Sequence, residues 1–300
     1  MMLDEQIRRN KAATVRLFFV VFLVLALLIF AIGVLLGVPP VATFVMAILI
    51  GSIYFAIASS SSIPAILKAA RARPANPNVR EEKLLMYRVE ELAIAAQIPV
   101  PAVYIQQDDD INAFATGKDP QHSIVCVTTG ALAALNQEEL EGVLGHELSH
   151  IRNYDIRVTT YAIALIGLIA MLGEIAIRSM FFGGGRRGGG KDSGGLQLIV
   201  LALAVVTIIL APLLSRLVYF AISRKREYLA DASGAELTRN PDGLAGALEK
   251  IAARQPQPNR GDRTVASLYL DNPFRRNKAA SLFSTHPPLE DRIARLRGRA

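Results

Sequence analysis

The chain has 300 residues, 52% of them hydrophobic, a formal net charge of +7 and a single cysteine. One thiol excludes an internal disulfide framework, and an apolar fraction this high, gathered in blocks, excludes an ordinary soluble domain as the whole protein. The positive charge flanks apolar runs and is not interleaved with aromatic residues, and Trp is absent; this pattern suits anionic lipid headgroups and speaks against nucleic acid as a partner.

No charged residue stands between Arg16 and Lys68. A bilayer core needs about 20 apolar residues per helix, so this stretch predicts two spans, 17–36 and 41–63, hinged at Gly37-Val38-Pro39-Pro40. The run from Leu17 is long enough to cross, and no small-residue cleavage site closes it, so it reads as a retained anchor and not a signal peptide. Arg8, Arg9, Lys11 and Arg16 precede the first run and Lys68, Arg71, Arg73 and Arg80 follow the second, while the turn between them carries no charge. That asymmetry puts the N-terminus and the following segment in the cytoplasm.

Residues 68–157 predict a cytosolic α+β part. Arg80–Gln97 reads as an amphipathic helix with Leu85, Val89, Leu92 and Ala96 on one stripe. Ala102–Gln106, Asn112–Thr116 and Ser123–Thr128 read as short strands, expected to form a small antiparallel meander. Cys126 falls in the last of them as a small buried apolar residue. Asn136, with Glu139 three residues on, caps the next helix. That helix carries His146-Glu147-Leu148-Ser149-His150. The spacing places two imidazoles one turn apart, where both can bind one metal ion. Zn²⁺ takes such nitrogen ligands and, in catalytic sites, leaves a position for water; Glu147 is placed to take a proton from that water as general base. Leu140, Leu144, Leu148 and Ile151 form the apolar stripe of the same helix. His146 and His150 lie off it, and they are two of only four histidines in the chain.

Two further spans are expected at 158–177, apolar except for Glu174, and 196–222, uncharged to Leu214 and apolar again after Arg216, with a Gly-rich linker at 183–195. Arg186, Arg187 and Lys191 in that linker run against the charge rule for an outer loop. Residues 223–300 predict a second cytosolic, helical part. In it Glu227 and Asp231 stand at i and i+4. They either complete the metal site, with Glu227 as third ligand and Asp231 orienting a ligand histidine, or form a solvated face beside Arg224, Lys225 and Arg226.

Five pieces occur in one order: Val89–Ala93 (Val-Glu-Glu-Leu-Ala), Asn112–Gly117 (Asn-Ala-Phe-Ala-Thr-Gly), His146–His150, Arg226–Asp231, and Thr285-His286-Pro287-Pro288 followed by Arg292-Ile293. With an apolar pair between the histidine helix and the Glu227 segment, they resemble the HtpX-like membrane metallopeptidases, relatives of the Ste24 proteases. The resemblance covers most of the chain. It implies a membrane α-helical fold of four transmembrane helices with a small α+β catalytic part of zincin type. It implies one Zn²⁺ per chain bound by His146, His150 and Glu227, with Glu147 catalytic and Asp231 behind the ligands. It implies proteolytic quality control in a bacterial inner membrane, with both termini cytoplasmic and unfolded or membrane polypeptides as substrates. Asn112 and His286 are candidates for a substrate or oxyanion role. Asn112–Gly117 reads either as an exposed strand edge able to pair with an extended substrate or as a buried turn. His286 reads either as a group reaching the metal or as part of a loop leading into the last helix. His122 has no such context and reads as a surface residue. The rival readings are a metal-handling membrane protein, which places polar groups within its spans, and an inactive scaffold, which has no use for Glu147.

Overall fold

The computed structural model describes residues 38–163, 224–254 and 287–298, with part of 5–30. The expected spans at 17–36, 158–177 and 196–222, the linker at 183–195 and His286 lie wholly or mostly outside the described residues.

Helix α1 runs Pro40–Ala69, starting on Pro40 at its first turn and carrying Pro64 inside. It covers the whole of the expected 41–63 span. Counted over the described residues alone, no helix is long and apolar enough to cross a membrane. In α1 the side chains at 54–55 and 58–61 fall outside that set.

Four strands follow as one sheet: β1 Ala72–Pro74, β2 Ala102–Gln106, β3 Ala113–Asp119 and β4 His122–Thr128, in the order β1-β2-β4-β3. The expected meander is corrected here. β3 and β4 do form an antiparallel hairpin, but β4 lies beside β2 and parallel to it, with Ala102 opposite Ile124 and Gln106 opposite Thr128. The physical reason is the connection at 107–112. It is long enough to carry the chain past the β4 position, and it is tied there by the Asp108 N–H to Thr129 Oγ1 and by Thr128 Oγ1 to the Asp110 carbonyl. The three-residue β1 is an addition to the expected strands; it ends on Pro74, as suits a sheet edge.

Helix α2 spans Arg80–Ala96 as expected and buries Leu85, Val89, Leu92 and Ala96. After the short α3, Thr129–Ala134, comes α4, Gln137–Arg152. Asn136 caps it reciprocally: the Glu139 N–H donates to Asn136 Oδ1 at 2.9 Å and the Asn136 N–H to Glu139 Oε2 at 2.7 Å. The later helices are α5 Arg224–Thr238, α6 Pro241–Ala253 and α7 Leu289–Leu296.

The period-2 pattern of the strands sorts the core into two layers. Ile105, Ala113, Ala115, Val125 and Val127 face Leu85, Val89, Leu144, Leu148, Leu244 and Leu248 of the helices. Phe114, Ile124 and Cys126 face Ile66 and Ala70 at the end of α1 and Ile163. Cys126 is thus a packing residue, and burial alone pushes its thiol up to about 12, away from reactive thiolate. Helix α4 is buried on both sides, by the sheet and α2 on one and by α5 and α6 on the other.

The α4–α5 crossing is close because both helices present glycine there. A Cβ on Gly234 would lie 2.7 Å from the His146 backbone nitrogen, and one on Gly145 would lie 3.0 Å from the Gly234 carbonyl. Replacing Gly234 by Ala raises helix propensity by about 1 kcal/mol, but overpacking against backbone costs about 1–3 kcal/mol. Because the obstructing atoms belong to the main chain of the histidine helix, we expect Gly234→Ala to separate α4 from α5. Thermal unfolding should shift downward and metal retention should weaken together. A variant with wild-type melting and wild-type metal content would show that the crossing has room to spare.

Candidate metal centre

Three ligand atoms converge between α4 and α5. His146 Nε2 and His150 Nε2 are 3.2 Å apart, and the two oxygens of Glu227 lie 3.7 Å from the first and 3.6 Å from the second. Ligands about 2.0–2.1 Å from a tetrahedral ion are separated by about 3.3 Å; the gap between the two histidines matches such an edge, and Glu227 meets each histidine with a different oxygen, one atom from each of the three residues lying within 4.8 Å of the others. Among the described residues this is the group of His, Cys, Asp and Glu that can hold a metal ion.

The hydrogen bonding around the ligands makes the same demand. His146 Nδ1 is 2.9 Å from Asp231 Oδ1, and His150 Nδ1 is 3.0 Å from Asp155 Oδ2. A neutral ring with its proton on Nδ1, facing a carboxylate, has a bare lone pair on Nε2. Two such lone pairs and a carboxylate cannot face one another in a buried site without a cation or a proton between them. The residues present therefore fit a bound divalent ion.

Asp231 occupies the orienting place read for it from the i, i+4 spacing with Glu227, and both are buried, not solvated. Asp155 was not anticipated. It follows the end of α4 at Arg152, and Tyr154, at φ 60° in the left-handed region, turns the chain back so that Asp155 reaches His150. Arg292 stands out in the sequence only as part of a motif, but in the structure it is a central residue. It is fully buried and grips Asp231 with both arms, Nε to Oδ2 at 2.9 Å and Nη2 to Oδ1 at 2.6 Å. Its Nη1, buried and without a hydrogen-bond partner among the described residues, lies 4.0 Å from Glu227 Oε2. Nη2 also lies 3.5 Å from both ring nitrogens of His146, too long and too evenly shared to displace Asp231 as the partner of that ring. A signal for Arg292 existed in its place beside Leu289, Ile293 and Leu296, the inner face of the last helix.

Glu147 is buried beside the cluster, and its Oε2 accepts from the Ala115 N–H at 2.7 Å. Burial raises its pKa above the ordinary carboxylate range, helped by Glu227 and opposed by His146, His150 and the Ala115 N–H. Burial would also raise Asp231, but Arg292 and His146 overcome it and hold that carboxyl down at about 2.

The segment 112–117 is buried, but from Ala113 on it is the edge strand β3 and not a turn, so it is neither the exposed edge nor the buried turn of the two readings. Although β3 is an edge strand, the N–H groups of Ala113, Ala115 and Gly117 are taken within the chain, by Asn112 Oδ1, Glu147 and Thr160 Oγ1 respectively. Asn112 sits at the start of β3 and exchanges further hydrogen bonds with Thr128. His122 is exposed, as expected, and pairs with Asp119.

The family model of peptidase family M48 matches residues 80–300. The chain is 44% identical over 297 residues, 99% of each chain, to a protein of Streptococcus uberis named protease HtpX homolog. It is 45% identical over 296 residues, again 99% of each chain, to one of the same name from Streptococcus agalactiae. A third, from Ligilactobacillus salivarius, is 44% identical over 98% of this chain and 99% of its own. Among solved structures, the crystal structure of S. mikatae Ste24p is similar with a TM-score of 0.50 at 16% identity, covering 97% of this chain and 66% of that one. At that identity the likeness concerns the fold alone.

A pH dependence follows from His150. In the metal-free protein, burial disfavours its charge, but the hydrogen bond to Asp155 and the carboxylates of Glu227, Asp155 and Glu147 outweigh burial and raise its pKa to about 9. Below that pH a proton occupies the place a cation needs, and above it there is none to displace. Metal affinity should therefore rise by about tenfold per pH unit between about pH 6 and about pH 9, read by competition with a chromophoric chelator using zinc as the probe. An affinity flat across that range would show that His150 binds no proton in the free protein.

Proposed function

We propose, since the chain belongs to peptidase family M48, that it is a zinc-dependent endopeptidase anchored in a membrane, with its catalytic part on the cytosolic face and unfolded or membrane-extracted polypeptides as substrates. The observation that carries this reading is the convergence of His146, His150 and Glu227, with the buried Glu147 beside them. Two imidazoles and one carboxylate, with one ligand atom from each within 4.8 Å of the others, are a ligand set suited to catalytic zinc.

Bound zinc would supply Lewis-acid polarisation of water and of the scissile carbonyl. The chain's own residues do the rest. Glu147, whose pKa burial raises, takes a proton from the attacking water as the oxygen bonds to the carbonyl carbon. It then passes that proton to the amine nitrogen as the C–N bond breaks. The Ala115 N–H holds its carboxylate in register with the ligands. Asp231 and Asp155 keep the ligand rings in the tautomer that frees Nε2. Arg292, paired with Asp231 and close to Glu227, compensates negative charge that would otherwise stand bare inside the protein.

The membrane reading is supported by α1. Its 30 residues extend about 45 Å, and they carry no charge before Lys68. Val41, Phe44, Leu49, Ile53 and Ile57 on it are exposed. A continuous exposed apolar surface of this kind needs a cover, and lipid is the cover that the flanking Lys and Arg select. The spans at 17–36, 158–177 and 196–222 and the cytoplasmic placement of both termini belong to the same proposal.

Two experiments bear on it. Purified Glu147→Gln should keep about one zinc per chain, as one shell of three protein ligands predicts, while losing casein cleavage. Glu227→Ala should lose tight zinc as well as cleavage, and Glu236→Ala should lose neither. Loss of metal in Glu147→Gln, or its full retention in Glu227→Ala, would redraw the ligand set. For the topology, single cysteines can be placed in the 183–195 segment and near Ala300 in a Cys126→Ser background. An impermeant thiol reagent applied to intact cells should label only the first, and labelling near Ala300 would reverse the orientation.

A further inference from the structure

The ligand histidines are not braced in the same way. His146 is backed by Asp231, which Arg292 of α7 holds from behind. His150 is backed by Asp155, and the group behind Asp155 comes from the other end of the chain. Asn10, in the helical stretch 8–13, is buried and donates from Nδ2 to Asp155 Oδ1 and to the Asn153 carbonyl, both at 2.7 Å. Its Oδ1 accepts from Arg226 Nη1 at 3.4 Å, and Arg226 in turn lies 3.5 Å from Asp155 Oδ1. The amide is oriented by its surroundings. Turned over, its oxygen would face a carbonyl and a carboxylate and its NH₂ would face a guanidinium. Asp155 therefore uses Oδ2 for His150 and Oδ1 for Asn10. One unbroken path runs Asn10 to Asp155 to His150.

We propose that Asn10 is a positioning residue of the metal centre, so that the segment preceding the first apolar run is a working part of the site and not only a lead into an anchor. The role calls for an uncharged double donor. A carboxylate at position 10 would repel Asp155, and an ammonium or guanidinium there would compete with His150 for it. A small residue would leave Asp155 Oδ1, among the described residues, to Arg226 alone, at 3.5 Å. Asn10 sets which face Asp155 turns to His150, and Asp155 sets the direction of His150 Nε2. Removing a group that orients a ligand directly costs about 10- to 100-fold in metal affinity, and Asn10 stands one hydrogen bond farther out, so about 3- to 10-fold is expected.

The inference rests on the reading of His150 as a metal ligand, and its test separates the two. Full-length protein in detergent is titrated with zinc against a competing chelator, and the visible spectrum of its cobalt-loaded form is recorded. Wild type should bind about one equivalent, as a single three-ligand shell predicts, and His150→Ala should lose it. If His150→Ala keeps wild-type affinity, the ligand reading falls and the role of Asn10 falls with it. With that reading standing, Asn10→Ala should weaken zinc binding by about 3- to 10-fold, shift the cobalt bands, and add nothing further in an Asp155→Ala background. Lys11→Ala removes the contact of the same segment with the Tyr154 ring, where Lys11 Nζ lies 4.4 Å from the centroid. It serves as the docking control and should leave affinity and spectrum as in wild type. Unchanged affinity in Asn10→Ala, or equal losses in Asn10→Ala and Lys11→Ala, would overturn the proposal: the first denies any effect on the site, and the second reduces Asn10 to one of several docking contacts.

Discussion

The site depends on burying carboxylates without leaving charge unmatched. Glu147, Asp155, Glu227 and Asp231 are each at most 4% exposed and stand within one cluster of contacts. Facing them are the two buried guanidiniums of Arg226 and Arg292. Among these described groups, with all four carboxylates ionised and both imidazoles neutral, the balance is two negative charges, the amount a divalent ion supplies. Without the ion a proton takes part of that place, and the raised pKa of His150 expresses this. Burying an ionised carboxylate unpaired costs several kcal/mol. The arginines are therefore part of what allows a ligand set of this charge inside the protein at all.

That electrostatic arrangement needs two helices unusually near each other, and the glycines at their crossing provide the room. With Gly145 and Gly234 back to back, α5 brings Glu227 and Asp231 to opposite sides of His146, so one helix supplies both a ligand and the carboxylate that orients another ligand. The sheet contributes from the opposite side of α4. There the Ala115 N–H holds Glu147 against the cluster. Glu147 is thus held by a strand and the candidate ligands by helices, and α4 carries His146, Glu147 and His150 between them.

What was legible in the sequence was local. The capping pair Asn136 and Glu139, the one-turn spacing of His146 and His150, and the same spacing of Glu227 and Asp231 follow from helix geometry over a few residues. Alternation identified three of the strands but not their neighbours, because a period of two reports which face a residue occupies and not which strand lies beside it. The parallel placement of β4 against β2 was missed for that reason. Arg292 was missed because a charged residue in a short helix reads as solvated until a buried partner is known, and Asp231 is 61 residues away. Asp155 depended on Tyr154 adopting a left-handed turn that its side chain does not announce. Asn10 had no local signal at all, its contact with Asp155 spanning 145 residues.

The same dispersion shapes how the centre can assemble. Its parts come from Asn10, Ala115, the 146–155 stretch, Glu227 with Asp231, and Arg292, so it is complete only when both ends of the chain and the elements between them are in place. A fragment holding α4 alone has two histidines but neither Asp231 nor Arg292 behind them, and ligand rings without an orienting partner bind metal weakly. Tight binding is therefore a property of the assembled state. An ion that prefers this state stabilises it by mass action, adding about 2.7 kcal/mol at a free concentration a hundred times its dissociation constant. An ion held by His146 and His150 of α4 and Glu227 of α5 would therefore act on the fold as well, because its ligands join the two helices.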